Sequence, residues 1–133
     1  MDAKLVAETI YQQLGAGQFK VMTGARKFGY GNDSNGNPFL QFYIPANRFN
    51  VNKISMVQII LDVSDTYTLK FFNNKKDPIA GIMILNCYKT IEDIYCDNLR
   101  DVFEVETNLL TSFDKRSSNA VKVDPRTARL SYL

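Results

Sequence analysis

The chain contains no histidine. That removes the side chain that most often serves as a general base near neutral pH and most often ligates metals. It also makes a Ser–His or Cys–His nucleophile pair impossible within the chain. Cysteine is scarce: only Cys87 and Cys96 are present, without metal-ligand spacing and too few for a disulfide scaffold. Each falls in an apolar context that predicts a buried or partly buried thiol. No run approaches the ~20 apolar residues of a spanning helix. Met1 to Leu14 is amphipathic where a signal peptide would carry an unbroken apolar stretch. Gly24, Gly29 and Gly31 spell G-x-x-x-x-G-x-G, but Tyr30 stands where a phosphate-binding loop needs Lys followed by Ser or Thr. Taken together, these absences predict a soluble, cytosolic, non-enzymatic protein with no cofactor and no metal.

What is present suits one globular domain. The 133 residues are 45% hydrophobic and 23% charged, enough to bury about two-thirds of the unfolded surface around a single core. Net charge is only +2, so no global field draws the chain to nucleic acid or membrane. The charge is unevenly distributed, however. Lys20, Arg26, Lys27, Arg48 and Lys53 face only Asp33 in their stretch. Glu92, Asp93, Asp97, Asp101, Glu104 and Glu106 face only Arg100. Lys115, Arg116, Lys122, Arg126 and Arg129 face only Asp124. This bipolar pattern says more about partners than the total does.

Periodicity predicts the elements. Ala3, Val6, Ala7, Ile10, Tyr11 and Leu14 form one helical stripe, with Asp2 as N-cap and Gly15 at its end. Gln18 to Thr23 reads as a strand with Phe19 and Val21 on one face, continuing past a bend at Gly24 into Lys27–Tyr30. Residues 31–38 form a turn by composition, and Phe39–Ile44 the partner strand. Ile54–Val63 is apolar on both faces, as a central strand should be. Thr66–Phe72 alternates Tyr67, Leu69 and Phe71 against Thr66, Thr68 and Lys70, so one face is solvated. Residues 73–78 form a turn, and Ile79–Cys87 another apolar strand. Thr90 and Asp93 resemble a capping box opening a second helix, with an apolar stripe of Ile91, Ile94, Tyr95, Leu99, Val102 and Phe103. The expected fold is α+β: one antiparallel sheet of about five strands with N- and C-terminal helices on one face. The domain spans 1–113, and 114–133 form a flexible basic arm.

Chemistry is concentrated in Gln18 to Gly31, QFKVMTGARKFGYG. Its bland reading puts Phe19 and Phe28 in the core and the cations on a solvated sheet face. Its functional reading uses Tyr30, Phe42 or Tyr43 as stacking platforms while Lys20, Arg26, Lys27, Arg48 and Lys53 follow a phosphate backbone. The predicted nucleic-acid site is therefore Lys20, Arg26, Lys27, Tyr30, Arg48 and Lys53. Asp93, Asp97 and Asp101 recur at i, i+4, which reads as a solvated helix face. With Glu104 they make an alternative surface for a basic protein partner.

Three blocks, QLGAGQFKVMTGARKF (13–28), SDTYTLKF (64–71) and YCDNLRDVFEVETNLLTSF (95–113), resemble a family of small uncharacterised bacteriophage and mobile-element proteins. Its members share an opening helix, an M-T-G-A-[KR] block, a D-T-Y strand and a closing L-x-x-V-F helix running into T-S. The resemblance covers about residues 3–113, and the chain departs from it in a longer loop at 31–53 and in its basic tail. It implies a phage-encoded accessory protein acting in a bacterial host cytoplasm, and it carries over no catalytic residue. The expected partners are single-stranded nucleic acid or a nucleoprotein, with no membrane and with a homodimer as the favoured oligomer. A host or defence protein inhibited through the acidic face, or a virion assembly, are the alternatives.

Overall fold

The computed structural model describes residues 2–46, 50 and 52–111. The expected basic arm, 114–133, lies outside the described residues. Helix α1 (Ala3–Leu14) forms as its stripe predicts, and the Asp2 carboxylate accepts the Lys4 N–H at its start. Gly15, at φ +120°, ends α1 and lets the chain restart at once as α2 (Ala16–Thr23). This overturns the strand expected over 18–23. Phe19 and Thr23, four apart, are both buried, while Val21 is 73% exposed. That is one helical face and not an alternating strand. The Thr23 hydroxyl donates back to the Phe19 carbonyl and accepts from Ala25 N–H, closing the last turn. Gly24 then caps α2 at φ +75°, and a Cβ there would sit 2.9 Å from Pro45 Cγ, so only glycine fits.

Five strands follow: β1 (Arg26–Asn32), β2 (Pro38–Tyr43), β3 (Ile54–Leu61), β4 (Tyr67–Lys76) and β5 (Met83–Ile94). They form one antiparallel sheet, as expected, and its strands follow the order of the chain as a meander with β3 central. A short 3₁₀ turn (Cys96–Asn98) leads into α3 (Leu99–Thr107). Residues 90–94, expected as the first turn of a helix, instead complete β5, and the helix opens only at Leu99. The physical reason is a bulge. Tyr67 pairs with Ile94 and Leu69 with Ile91, so β5 spends one extra residue there, and Asp93 takes φ +60°. The bulge puts Ile91 and Ile94 on one face at a spacing of three, which imitates helical periodicity.

The helices pack on the sheet face that carries Leu40, Phe42, Val57, Ile59, Leu69 and Phe71. Rings from α2, β2 and α3 meet at its centre: Phe19 lies 5.3 Å from Phe42 and 5.2 Å from Phe103 between centroids, both edge-on. Each is fully buried, a contribution of roughly 1.5–3 kcal/mol per ring.

Strands β4 and β5 run past the rest of the sheet. The last pair between β3 and β4 is Ile54 with Asn73, yet β4 continues to Lys76, paired with Met83. The expected turn at 73–78 is therefore mostly strand, and the real turn lies at 77–82, closed by the Asp77 N–H to Ile82 carbonyl bond. Asparagines hold the root of this arm. Asn86 donates to the Asn73 side chain, Asn73 to the Asn52 carbonyl, and Asn52 to the Glu106 carbonyl on α3.

Candidate nucleic-acid interface

Residues paired across an antiparallel ladder share a face, so the register fixes what the side away from the helices presents. One row reads Arg26, Tyr43, Met56, Phe72 and Cys87. The next reads Gly29, Gln41, Gln58 and Lys70, then Thr90, and a third reads Gly31, Phe39, Ile60 and Thr68. Among the described residues no helix packs on this face. Met56 and Ile60 are buried there beneath half-buried neighbours and stand apart from the main core. Gln58 donates to the Gln41 side chain. The ring of Phe39 lies over Gly31, where a Cβ would come within 3.2 Å of it. The bare glycine leaves room for the tip of that ring.

Lys27 joins this face through a second bulge. Arg26 pairs with Tyr43 and Gly29 with Gln41, leaving two residues opposite Phe42, and Lys27 takes φ +56°. Its ammonium stands 5.9 Å from the Tyr43 ring centroid, within cation–π range. Both Arg26 and Lys27 are exposed. Lys53 is exposed in the turn just before β3, at the same end of the sheet, and Lys75 and Lys76 project past that end on the arm.

The six residues predicted as one site are thus divided. Arg26 and Lys27 meet on the open face beside Tyr43, with Lys53 at the same end. Tyr30 pairs with Leu40 on the helix-bearing face, where it lines a groove of about 260 Å³ with Lys4, Glu8, Tyr11 and Phe28. Lys20 is exposed on α2 and belongs to no strand. Arg48 lies outside the described residues. Phe42 is wholly buried and offers no stacking surface, whereas Tyr43, Phe39 and Phe72 stay partly exposed. The residue that sequence reasoning missed is Lys70. Its signal was the alternation of β4, which set Lys70 on the solvated parity.

The four acidic residues do not share a helix face. Asp93 is in β5, Asp97 in the 3₁₀ turn, and only Asp101 and Glu104 are on α3. Glu104 accepts both the N–H and the hydroxyl of Thr111. The cysteines are also corrected: both are exposed, Cys87 because it sits on an edge strand and Cys96 because it opens the turn.

The fold arranges charge differently from the blocks of the sequence. Arg26, Lys27, Lys53, Lys75 and Lys76 gather at one end of the strands, where Asp77 in the turn after Lys76 and Glu106, bonded through its carbonyl to Asn52, offset part of their charge. Asp33, Asp62, Asp65 and Asp93 lie at the other, in or beside the turns that join β1 to β2 and β3 to β4 and at the foot of β5. Near that acidic end Tyr67 is buried and donates to Gln13 at 2.7 Å. Burial pushes its phenol above the ordinary tyrosine pKa.

Among the described residues no group of three or more Cys, Asp and Glu could hold a metal ion, and no helix is long and apolar enough to cross a membrane. Compared with known protein families, curated proteins and solved structures, the chain finds no match.

Proposed function

We propose that this chain is a non-enzymatic accessory protein of phage or mobile-element origin that binds single-stranded nucleic acid across the open face of its sheet. The cytoplasm of a bacterial host as its site of action, and a homodimeric state, belong to the same proposal. One observation carries it: Arg26 and Lys27 stand beside Tyr43 at the basic end of a helix-free face. On that face Gln41, Gln58 and Lys70 form a polar row between the partly exposed rings of Tyr43 and Phe72 on one side and Phe39 on the other. Flat rings accept bases of any identity, cations follow the phosphates, and amide side chains hydrogen-bond to base edges.

The test is fluorescence anisotropy with labelled single-stranded DNA and RNA over a range of salt. Each phosphate contact on a single strand contributes a slope of about −0.7 in log affinity against log salt. Arg26→Ala with Lys27→Ala should therefore flatten the slope by about 1.4, and Tyr43→Ala should cost about 1–3 kcal/mol. Unchanged affinity and slope in the double variant would remove the site. Absence of binding at low salt would remove the proposal.

A further inference from the structure

We propose that the chain forms a two-fold homodimer in which Met83–Cys87 of β5 pairs antiparallel with the same segment of a second copy. Strand β5 is an edge of the sheet, and such an edge presents unpaired N–H and C=O groups that template another strand. Proteins blunt an edge with bulges, and β5 has two, one at Tyr88 opposite the Phe71–Phe72 step and one at residues 92–93. Between Met83 and Cys87 there is none. This stretch pairs residue for residue with Lys76 back to Phe72, so its outer side is regular and, among the described residues, open.

Its chemistry is that of a buried strand. Ile82 and Met83 are 59% and 61% exposed, Ile84, Leu85 and Tyr88 about 44%, and Ile79 is 95% exposed. Edge pairing covers part of this apolar surface, which makes an interface smaller than the ~800 Å² per partner of a standard one. Among the described residues the arm beyond Asn73 is a ribbon of two strands, and a two-stranded ribbon is marginally stable at best in water. A second copy turns it into four strands.

The unbulged stretch is symmetric about Leu85, which sets the register. Leu85 faces the second copy's Leu85, Met83 its Cys87 and Ile84 its Asn86. The cations do not oppose this pairing. Lys75 and Lys76 lie one strand in and toward the tip of the arm, so the two-fold sends the two pairs to opposite ends. The axis stands perpendicular to the sheet, and both helix-free faces therefore look the same way across ten continuous strands.

The protein is examined by sedimentation up to roughly 500 µM, a concentration that populates even a weak complex with a Kd of about 100 µM. The expected result is a dimer that Leu85→Lys weakens at least about 30-fold, the size of an interface hot spot, with unchanged circular dichroism. A wild-type monomer overturns the proposal and leaves the edge to an extended segment of another protein. A dimer that persists undiminished in Leu85→Lys overturns it too. Register is read by oxidation in a Cys87→Ser, Cys96→Ser background. Facing residues of an antiparallel pair hold their Cα atoms about 4.5–5.5 Å apart, within disulfide reach. Leu85→Cys should therefore cross-link with itself, and Ile84→Cys, which faces Asn86, should not. Equal cross-linking of both overturns the register.

Discussion

At Lys27 one backbone torsion decides what this protein shows to solvent. Its positive φ inserts an extra residue into β1, which sends Lys27 to join Arg26 on the open face and turns Phe28 and Tyr30 toward the helices. Read as a plain alternating strand, QFKVMTGARKFGYG gathers Tyr30 with the cations. The bulge separates them, and nothing in the residue types announces it, because a lysine seldom adopts the left-handed region. Tyr67 illustrates a different residue-scale effect. Burial holds its phenol neutral above the ordinary value of 10.0. Its contribution to stability is whole below that value and is lost as pH climbs through the raised native pKa, because the unfolded chain releases the proton first. Stability should therefore fall as pH rises above about 10, as read by urea titration at a series of pH values. Tyr67→Phe should make that decline shallower, at a cost near neutral pH of about 1 kcal/mol for the lost bond to Gln13. A decline as steep in Tyr67→Phe as in the parent would assign it to other groups.

Among the elements, α1 was fully legible, since its stripe runs over twelve residues with a cap at one end and a glycine at the other. Two others were misread for opposite reasons. Helix α2 has eight residues, and over so short a span Phe19 and Val21 imitate strand alternation. Strand β5 has twelve, but its bulges shift the phase and imitate a helix. Local pattern failed where a single torsion reset the period. The Asp93 bulge gives this a test. Asp93→Gly should change stability by less than about 0.5 kcal/mol, because glycine adopts φ +60° freely. Asp93→Ile should cost about 1–2 kcal/mol, the penalty for a β-branched side chain in that region. Chemical denaturation midpoints read the difference. Equal losses in the two variants would mean that the carboxylate, and not the torsion, matters at this position.

For the whole molecule, the fold class was legible because the apolar segments that follow the opening helices alternate with turn-rich loops short enough to force a meander. The candidate site was legible only in part. Arg26, Lys27 and Tyr43 are neighbours through the pairing of β1 with β2, whereas Lys70 reaches the same face through two further strands, a relation that no linear spacing encodes. The charge blocks were visible in the sequence but are not the ends of the sheet, because the meander sets Asp33 of the basic block beside Asp62 and Asp65, which belong to neither block. The segregation of charge between the ends has a consequence for how the protein behaves among charged matrices. The seven residues of β1 and the eight of β3 hold the two ends about 25 Å apart at ~3.3 Å per residue, comparable with the ~30 Å screening length at 0.01 M salt. A charged surface touching one end meets that end's charges first, so a net +2 is an incomplete description of the molecule. At low ionic strength and neutral pH the protein is expected to bind both cation- and anion-exchange resins, one by each end. Lys75→Glu with Lys76→Glu should bring elution from the cation exchanger to lower salt and leave the anion exchanger's hold intact or stronger.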